Sequence, residues 1–415
     1  MKPFFEVQTL EAVHRRMGQL QPLDEESVHI DRAAGRTLAR DLVAPHDLPG
    51  FPRATMDGYA VRARDTFGAS ETSPAYLSMV GDVRMGQRPT FALEAGQCAR
   101  VGTGGMLPGG TDAVAMVEHT RLLDGQTVEL TRSLAPGSNV MGPTDDATRG
   151  QLLLPAGQRL RPQDVGLLAA LGVAEPEVLR RPRLGIISTG DEVVPVERQP
   201  APGQVRDVNT HTLACQSTDA GAEPLLLGLV ADDEPALRSR VRQSVQRCEL
   251  TLLSGGSSVG VRDLTREVFL SFPGAQLLVH GVSVAPGKPF IWVRVGDGAE
   301  ERHLLGLPGQ VASCMVAFHL FVEPMVERLL GREARSFVLF PRIEARLARN
   351  LPAAPGRETF ARVALREEPD GWIADPVFGK SGLLRTLTAS HGLVRVPLGC
   401  EGLDADDRVT VLRFP

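Results

Sequence analysis

Between residues 183 and 330, short apolar runs alternate with segments of helical spacing, and this alternation limits the fold more than any other feature of the chain. Residues 183–187, 224–230, 250–253, 277–284 and 303–307 read as strands. Residues 210–220, 235–246, 264–272 and 311–330 read as helices, with Asn209 or Thr210 as N-cap of the first. Strands that alternate with helices pair in parallel, because each right-handed crossover returns the chain to the same edge of the sheet. A central α/β domain on a parallel sheet is therefore expected. The carboxyl ends of its strands lie on one side, where ligands bind.

A polar or glycine-bearing cluster follows each strand. These are Ser188-Thr189-Gly190-Asp191-Glu192, Ala231-Asp232-Asp233, Ser254-Gly255-Gly256-Ser257-Ser258 ahead of Asp263, Ala285-Pro286-Gly287-Lys288-Pro289, and Pro308-Gly309-Gln310. The Gly255-Gly256 pair lets backbone N–H groups approach a ligand with no Cβ in the way. The helix start behind it adds free donors and the positive end of a dipole, which suit a phosphate. Taken alone, that turn fits a ligand-free strand-to-helix connection equally well. Taken together, Glu192, Asp232, Asp263 and Lys288 are candidates for one pocket. No GxGxxG fingerprint is present, which argues against a nicotinamide dinucleotide site.

The remainder of the 415 residues calls for three or four domains in all. Residues 5–20 and 31–42 read as helices, the second with Gly35 inside it, and three prolines between 45 and 52 mark a boundary. Met56-Asp57-Gly58-Tyr59 turns into a strand, and by residue type alone Asp57 is a turn residue. Residues 77–130 form a β-rich module with a Thr103-Gly104-Gly105 loop, and Asp145-Asp146 reads as a solvated turn. A short helix is expected over 163–171. After Gly331 the pattern changes to alternation over 337–347, 358–365, 371–377, 393–397 and 408–412, a small all-β domain. Its loops carry Pro355-Gly356-Arg357 and Gly379-Lys380-Ser381-Gly382.

A net charge of −5 provides no global basic field for nucleic acid, so an anionic ligand must be held by local groups. The five cysteines, Cys98, Cys215, Cys248, Cys314 and Cys400, form no CxxC pair; structural zinc is not expected, and the set suits a reducing compartment. Without a long apolar span or a signal-peptide core, a soluble cytoplasmic protein with no membrane partner is expected. Only three of 45 basic residues are lysines, and two of them, Lys288 and Lys380, stand beside glycines in candidate site loops. A compact ammonium suits such positions.

Several of these motifs, in this order, resemble the molybdopterin molybdenumtransferases, the MoeA or gephyrin E-domain family. Met56-Asp57-Gly58-Tyr59-Ala60, Ser188-Thr189-Gly190-Asp191-Glu192, the Ser254 loop through Asp263, and Pro286-Gly287-Lys288-Pro289 carry the resemblance. The family implies four parts: a helical domain of residues 1–45 and 147–175, a β-rich domain of 46–146, a molybdopterin-binding α/β domain of 176–331 and a β domain of 332–415. It implies a homodimer, and a reaction that starts from adenylylated molybdopterin and molybdate with magnesium assisting. The adenylate is cleaved and molybdenum passes to the dithiolene sulfurs. Partners implied are the molybdopterin adenylyltransferase and recipient molybdoenzymes.

By the same resemblance Asp57, Asp146, Glu192, Asp232, Asp263 and Lys288 are catalytic candidates. Glu192, Asp232 and Asp263 are the candidate metal ligands, since carboxylates suit a hard cation on phosphate oxygens. Candidate substrate contacts are Thr103, Ser188, Thr189, Gly190, Ser254, Gly255, Gly256 and Ser257, with Pro286, Gly287, Arg357, Lys380 and Ser381. The chain also departs from the family. Ala285 stands where lysine is usual, the Leu307-Pro308-Gly309-Gln310 loop is one residue short, and Lys380 precedes Ser381 where glycine is usual. Lys380 is the expected replacement cation. The alternative is a molybdopterin-binding or scaffolding paralogue of the same fold with weakened turnover.

Overall fold

The computed structural model describes residues 7–255 and 259–415, the side chains at 259–263 and 299 excepted. The chain divides into two compact units. One comprises Met1–Ser27, Gly35–Ala39 and Glu177–Pro415; the other comprises Val28–Ala34 and Arg40–Pro176.

The first unit is built on a six-stranded sheet. Its strands are β1 (Arg183–Thr189), β2 (Glu223–Val230), β3 (Leu250–Gly255), β4 (Gln276–His280), β5 (Ile291–Val295) and β6 (Arg302–Leu307), in the spatial order β2-β1-β3-β6-β5-β4. The first four in that order are parallel. β5 runs antiparallel to both neighbours, so the sheet is mixed where alternation alone predicted a parallel one. The reason is local: no α-helix separates β4, β5 and β6, and a parallel return needs a crossover. The strand expected over 277–284 stops at His280, because Gly281 turns the chain at φ +95°. Val284–Ala285 then pairs in parallel with Glu358–Thr359.

Helices α1 (Asn209–Asp219), α2 (Glu234–Val245) and α3 (Val259–Leu270) follow β1, β2 and β3; α4 (Val311–Ala317) follows β6. The Asp233 carboxylate accepts from Ala236 N at 3.0 Å and caps α2. Both faces of the sheet are covered, as its near-continuous apolar strands require. Ile186, Leu252 and Leu305 pack in one core, whereas Ile187, Leu253 and Leu304 pack in the other. Each such side chain contributes roughly 1.5–3 kcal/mol by leaving water. The chain goes from β1 outward to β2, then returns past β1 to β3. This reversal leaves a crevice between the carboxyl ends of β1 and β3, at Thr189 and Gly255.

The carboxyl-terminal strands close into a ring. Glu358–Glu368 pairs with Gly371–Pro376, which pairs with Arg342–Leu347, then Arg408–Arg413, then Gly392–Val396, which returns to Glu358–Glu368. The second unit carries its own six-stranded sheet, including Gly58–Val61 between Ala113–Met116 and Gln97–Val101. The expected helix over 163–171 is Pro162–Ala170. The helix expected over 5–20 is Leu10–Met17, capped by Thr9; its first expected turn includes residues outside those described. The helix expected over 31–42 is instead one 3-10 turn, Ile30–Arg32. Gly35 has φ +76°, which no right-handed helix accommodates.

Candidate functional site

A cavity of about 440 Å³ opens at the crevice between β1 and β3, lined in part by Ser188, Thr189, Glu192, Ser254 and Gly255. Thr189 Oγ1 donates to Asp232 Oδ1 at 2.6 Å, and Asp232 N donates to Asp191 Oδ1 at 3.2 Å. The ends of β1 and β2 are thus tied together by side chains far apart in sequence. Gly255 is glycine for a steric reason: a Cβ there would stand 2.1 Å from Thr189 O. Gly190, at φ +147°, leaves room for the Glu192 carboxylate, whose Oε2 would lie 2.9 Å from a Cβ.

Two residues that sequence reasoning missed organise this cavity. Asp207 accepts from Ser188 Oγ at 3.1 Å, Thr210 N at 3.1 Å and Thr210 Oγ1 at 2.6 Å. It caps α1, the role expected of Asn209 or Thr210. Asn209 Nδ2 instead donates to Ser254 Oγ at 2.7 Å and Gly309 O at 2.8 Å. Gly309 O can only accept, which fixes which end of the amide faces it. Asn209 so fastens the start of the Ser254 loop to the loop after β6. The only advance signal was its position at a helix start.

A second cavity, about 520 Å³, adjoins the first and shares Gly309 and Gln310 with it. Pro286, Gly287 and Lys288 come from the loop before β5, Ser313 from α4, Arg357 from the loop before Glu358–Glu368, and Ser381 from the 379–382 loop. The pairing of Val284–Ala285 with Glu358–Thr359 brings the Lys288 and Arg357 loops together. Ala312 N donates to Ser381 O at 3.0 Å, which holds the serine loop against the first turn of α4. No aspartate or glutamate is among the described residues that line it. One pocket was expected for Glu192, Asp232, Asp263 and Lys288; the structure provides two adjoining ones, with Glu192 lining the first and Lys288 the second, while Asp232 lines neither and is tied to the first only through Thr189. Gly256, Ser257 and the Asp263 side chain lie outside the described residues. Among the described residues no group of three or more histidine, cysteine or carboxylate side chains is placed to hold a metal ion.

In the second unit, Asp57 precedes the Gly58–Val61 strand. Its Oδ1 accepts from Thr103 N at 2.7 Å and Thr103 Oγ1 at 2.8 Å. Those two bonds hold the exposed carboxyl below the usual aspartate range. Gly58 permits the close approach of its strand to Ala115, whose carbonyl a Cβ would strike. Asp146 is exposed, its N–H donating to Leu48 O at 3.2 Å, while the neighbouring Asp145 caps Gly142 N at 2.7 Å.

Three family models match in succession: the MoeA N-terminal region (domains I and II) over residues 7–172, a probable molybdopterin-binding domain over 185–328, and the MoeA C-terminal region (domain IV) over 344–414. A molybdopterin molybdenumtransferase of Nostoc sp. is 33% identical over 94% of this chain and 89% of its own. The chain belongs to the molybdopterin molybdenumtransferase family. The Bacillus subtilis member is 31% identical over 97% of this chain and 93% of its own. A crystal structure of a molybdopterin biosynthesis MoeA protein from Pyrococcus horikosii matches with TM-score 0.81 and 34% identity, covering 99% of this chain and 100% of that one.

Within this molybdenumtransferase family member, Ala285 lines the second cavity as its place in the motif implies. Lys380, the expected replacement cation, is exposed and is not among the lining residues of either cavity; its neighbour Ser381 is. Cys314 is fully buried 3.6 Å from Ser254 Oγ, and burial pushes its thiol up to about 12, so it stays protonated. No helix among the described residues is long and apolar enough to cross a membrane.

Proposed function

We propose that this chain inserts molybdenum into molybdopterin, cleaving adenylylated molybdopterin and passing molybdenum from molybdate to the dithiolene. The observation that carries this reading is the pair of adjoining cavities with a common Gly309–Gln310 wall. The carboxylate-free cavity with Lys288 and Arg357 suits molybdate, a dianion that a nearby carboxylate would repel. The cavity at the β1–β3 crevice suits the phosphate of the adenylylated pterin, held by the Ser254 loop at the amino end of α3. A shared wall lets the two substrates meet.

Magnesium fits the first cavity by the chemistry of its donors. Thr189 and Glu192 line it, Asp232 stands behind Thr189 in a hydrogen bond with it, and all three offer only oxygen ligands; this ion is commonly held by one or two carboxylates, with waters and substrate phosphates completing the shell. Glu192 and Asp232 would hold it, with Asp263 as the third candidate. Bound there, it would neutralise charge on the phosphate oxygens. Thr189 fixes the Asp232 carboxylate, and Asn209 keeps Ser254 beside the Gly309 wall. Lys288, Arg357 and Ser381 hold the oxyanion. Asp57, Thr103 and Asp146 serve the same reaction by their place in the family motifs. We further assign the four-part division stated above, a cytoplasmic homodimer, and exchange with the adenylyltransferase and recipient molybdoenzymes; the limits of the family matches, 172/185 and 328/344, support the division.

Calorimetric titration of AMP and molybdate tests the two-chamber reading. Each ligand should bind with the other already at saturation. Mutual exclusion would contradict it.

A further inference from the structure

We propose that Glu323 is a positioning residue for the second cavity. It latches the linker of residues 330–341, which joins the α/β part to the carboxyl-terminal barrel, and so sets the barrel-side lining against the Lys288 side. This rests on the functional reading above. Helix α4, which starts beside the Gly309–Gln310 segment that both cavities share, continues through a π turn at Phe318–Val322 into Glu323–Leu329. A π turn admits an extra residue into a helix, re-aims the side chains that follow and recurs at functional positions. The Glu323 carboxylate accepts from two linker groups, Phe337 N at 2.9 Å and Val338 N at 3.1 Å, and from His319 Nδ1 at 2.9 Å. Met315 O can only accept, which directs the Gln216 amide nitrogen to it at 3.1 Å and to His319 Nε2 at 2.8 Å. The imidazole proton is therefore on Nδ1, facing Glu323.

Phe337 is the strained point of the linker. Its φ is +56°, a left-handed value that a bulky side chain rarely adopts. Such a conformation persists only where its surroundings hold it, and the two N–H bonds to one carboxylate do so. Its ring stacks on His319 at 5.5 Å between centroids and packs on Phe360 at 5.6 Å. Phe360 lines the second cavity, on the strand Glu358–Glu368 that starts one residue after Arg357. Lys288 and Ser313 reach that cavity from the α/β part, whereas Arg357, Phe360 and Ser381 reach it from the barrel. The fit of the two parts therefore sets its width. Packing alone would take an apolar residue at 323, as at the buried neighbours Val322, Met325 and Val326. Instead a carboxylate only 2% exposed stands there, with no lysine or arginine paired to it among the described residues, and its acceptors serve the linker and His319.

Two native cysteines allow a direct test. Cys215 on α1 and Cys400 in the barrel are exposed, whereas Cys98, Cys248 and Cys314 are buried. Spin labels on Cys215 and Cys400 of the full chain, diluted with unlabelled protein, report the distance between the two parts by double electron–electron resonance. The parent should give one narrow distribution. Glu323→Leu should broaden it and weaken molybdate binding about 10-fold or more by calorimetry, because the groups on one side of the cavity lose their register with the other. AMP affinity should change less than about 3-fold, since Ser188, Thr189, Ser254 and Gly255 all belong to the α/β part. Glu323→Gln keeps one acceptor oxygen and should fall between Glu323→Leu and the parent in both readings. Glu333→Ala removes an exposed ion pair with Arg335 in the same linker and should match the parent. A folded Glu323→Leu that keeps the parent's distance distribution or its molybdate affinity overturns this inference. An equal loss of AMP and molybdate binding, the mark of a general structural defect, overturns it as well, as does a broad distribution in the parent. If Glu323→Leu does not fold, Glu323→Gln decides on the same readings. A parent that binds no molybdate overturns the functional reading, and the distance distributions then still decide whether Glu323 latches the linker.

Discussion

Thr189 donates its hydroxyl to Asp232 Oδ1 across 2.6 Å, joining the carboxyl ends of two adjacent parallel strands. The bond fixes one oxygen of Asp232 and leaves the other for a ligand. Removing it should disorder a carboxylate that the proposed metal site uses in one orientation. Thr189→Val should lower kcat about 10- to 100-fold, the loss typical when the group orienting a metal-ligating side chain is removed. Thr189→Ser should retain most of the activity. Steady-state kinetics on both variants checks this, and equal rates in Thr189→Val and parent would remove Asp232 from the site.

Gly255, at the end of β3, meets β1 from the side opposite β2. A methyl group there would stand 2.1 Å from Thr189 O, so Gly255→Ala must push β1 and β3 apart. Overpacking of this kind costs about 1–3 kcal/mol. A lower denaturation midpoint together with weaker AMP binding is expected. A loss of stability with AMP binding unchanged would separate the crevice from the phosphate site.

The Asp57 carboxyl is held below its usual range by two bonds from Thr103. A depressed folded pKa contributes stability above the unfolded value, and that contribution is lost as pH falls through the folded one. Thr103→Val removes the hydroxyl bond and keeps the backbone one. The Asp57 titration, followed by carbon-detected NMR, should then move up toward the ordinary aspartate range, and the acid limb of activity should move with it.

His303 offers a pH test of the fold away from the cavities. It is buried on β6, its Nδ1 accepting from Trp292 Nε1 at 3.2 Å. An indole N–H only donates, so the ring is neutral with its proton on Nε2. Burial first, with Arg294 and Arg302 adding to it, pulls its pKa down to about 3. The unfolded chain therefore binds the extra proton first as pH falls below about 6.5, and stability declines from there down to about 3. Roughly 2 kcal/mol should be lost by pH 5 relative to neutral pH. Urea unfolding of the parent and of His303→Gln checks this; the variant should show a shallower decline.

How much of this could be read in the sequence varied with the range of the interaction responsible. The alternation of 183–307 carried the four parallel strands because each is followed by its own helix. It missed β5, Ile291–Val295, which emerges from a proline-glycine loop and has no helix to announce it. The clusters after β1, β3 and β6 do line the first cavity, since such loops must lie at the carboxyl edge. Asn209 was read as a cap; its contacts with Ser254 and Gly309 arise only when three strand ends converge. Arg362 stands in an alternating strand, where an arginine normally faces water. Its place at the second cavity depends on a ring of strands closing beside the loop before β5, which no local pattern encodes.

The central claim is that one chain brings adenylate cleavage and molybdenum transfer together. A single-turnover assay tests it most directly: purified protein in excess over adenylylated molybdopterin, with magnesium, and with or without molybdate. The account predicts release of one AMP per pterin, dependent on molybdate, with molybdenum recovered on the pterin. Tight binding of the adenylylated pterin with no AMP released would contradict it.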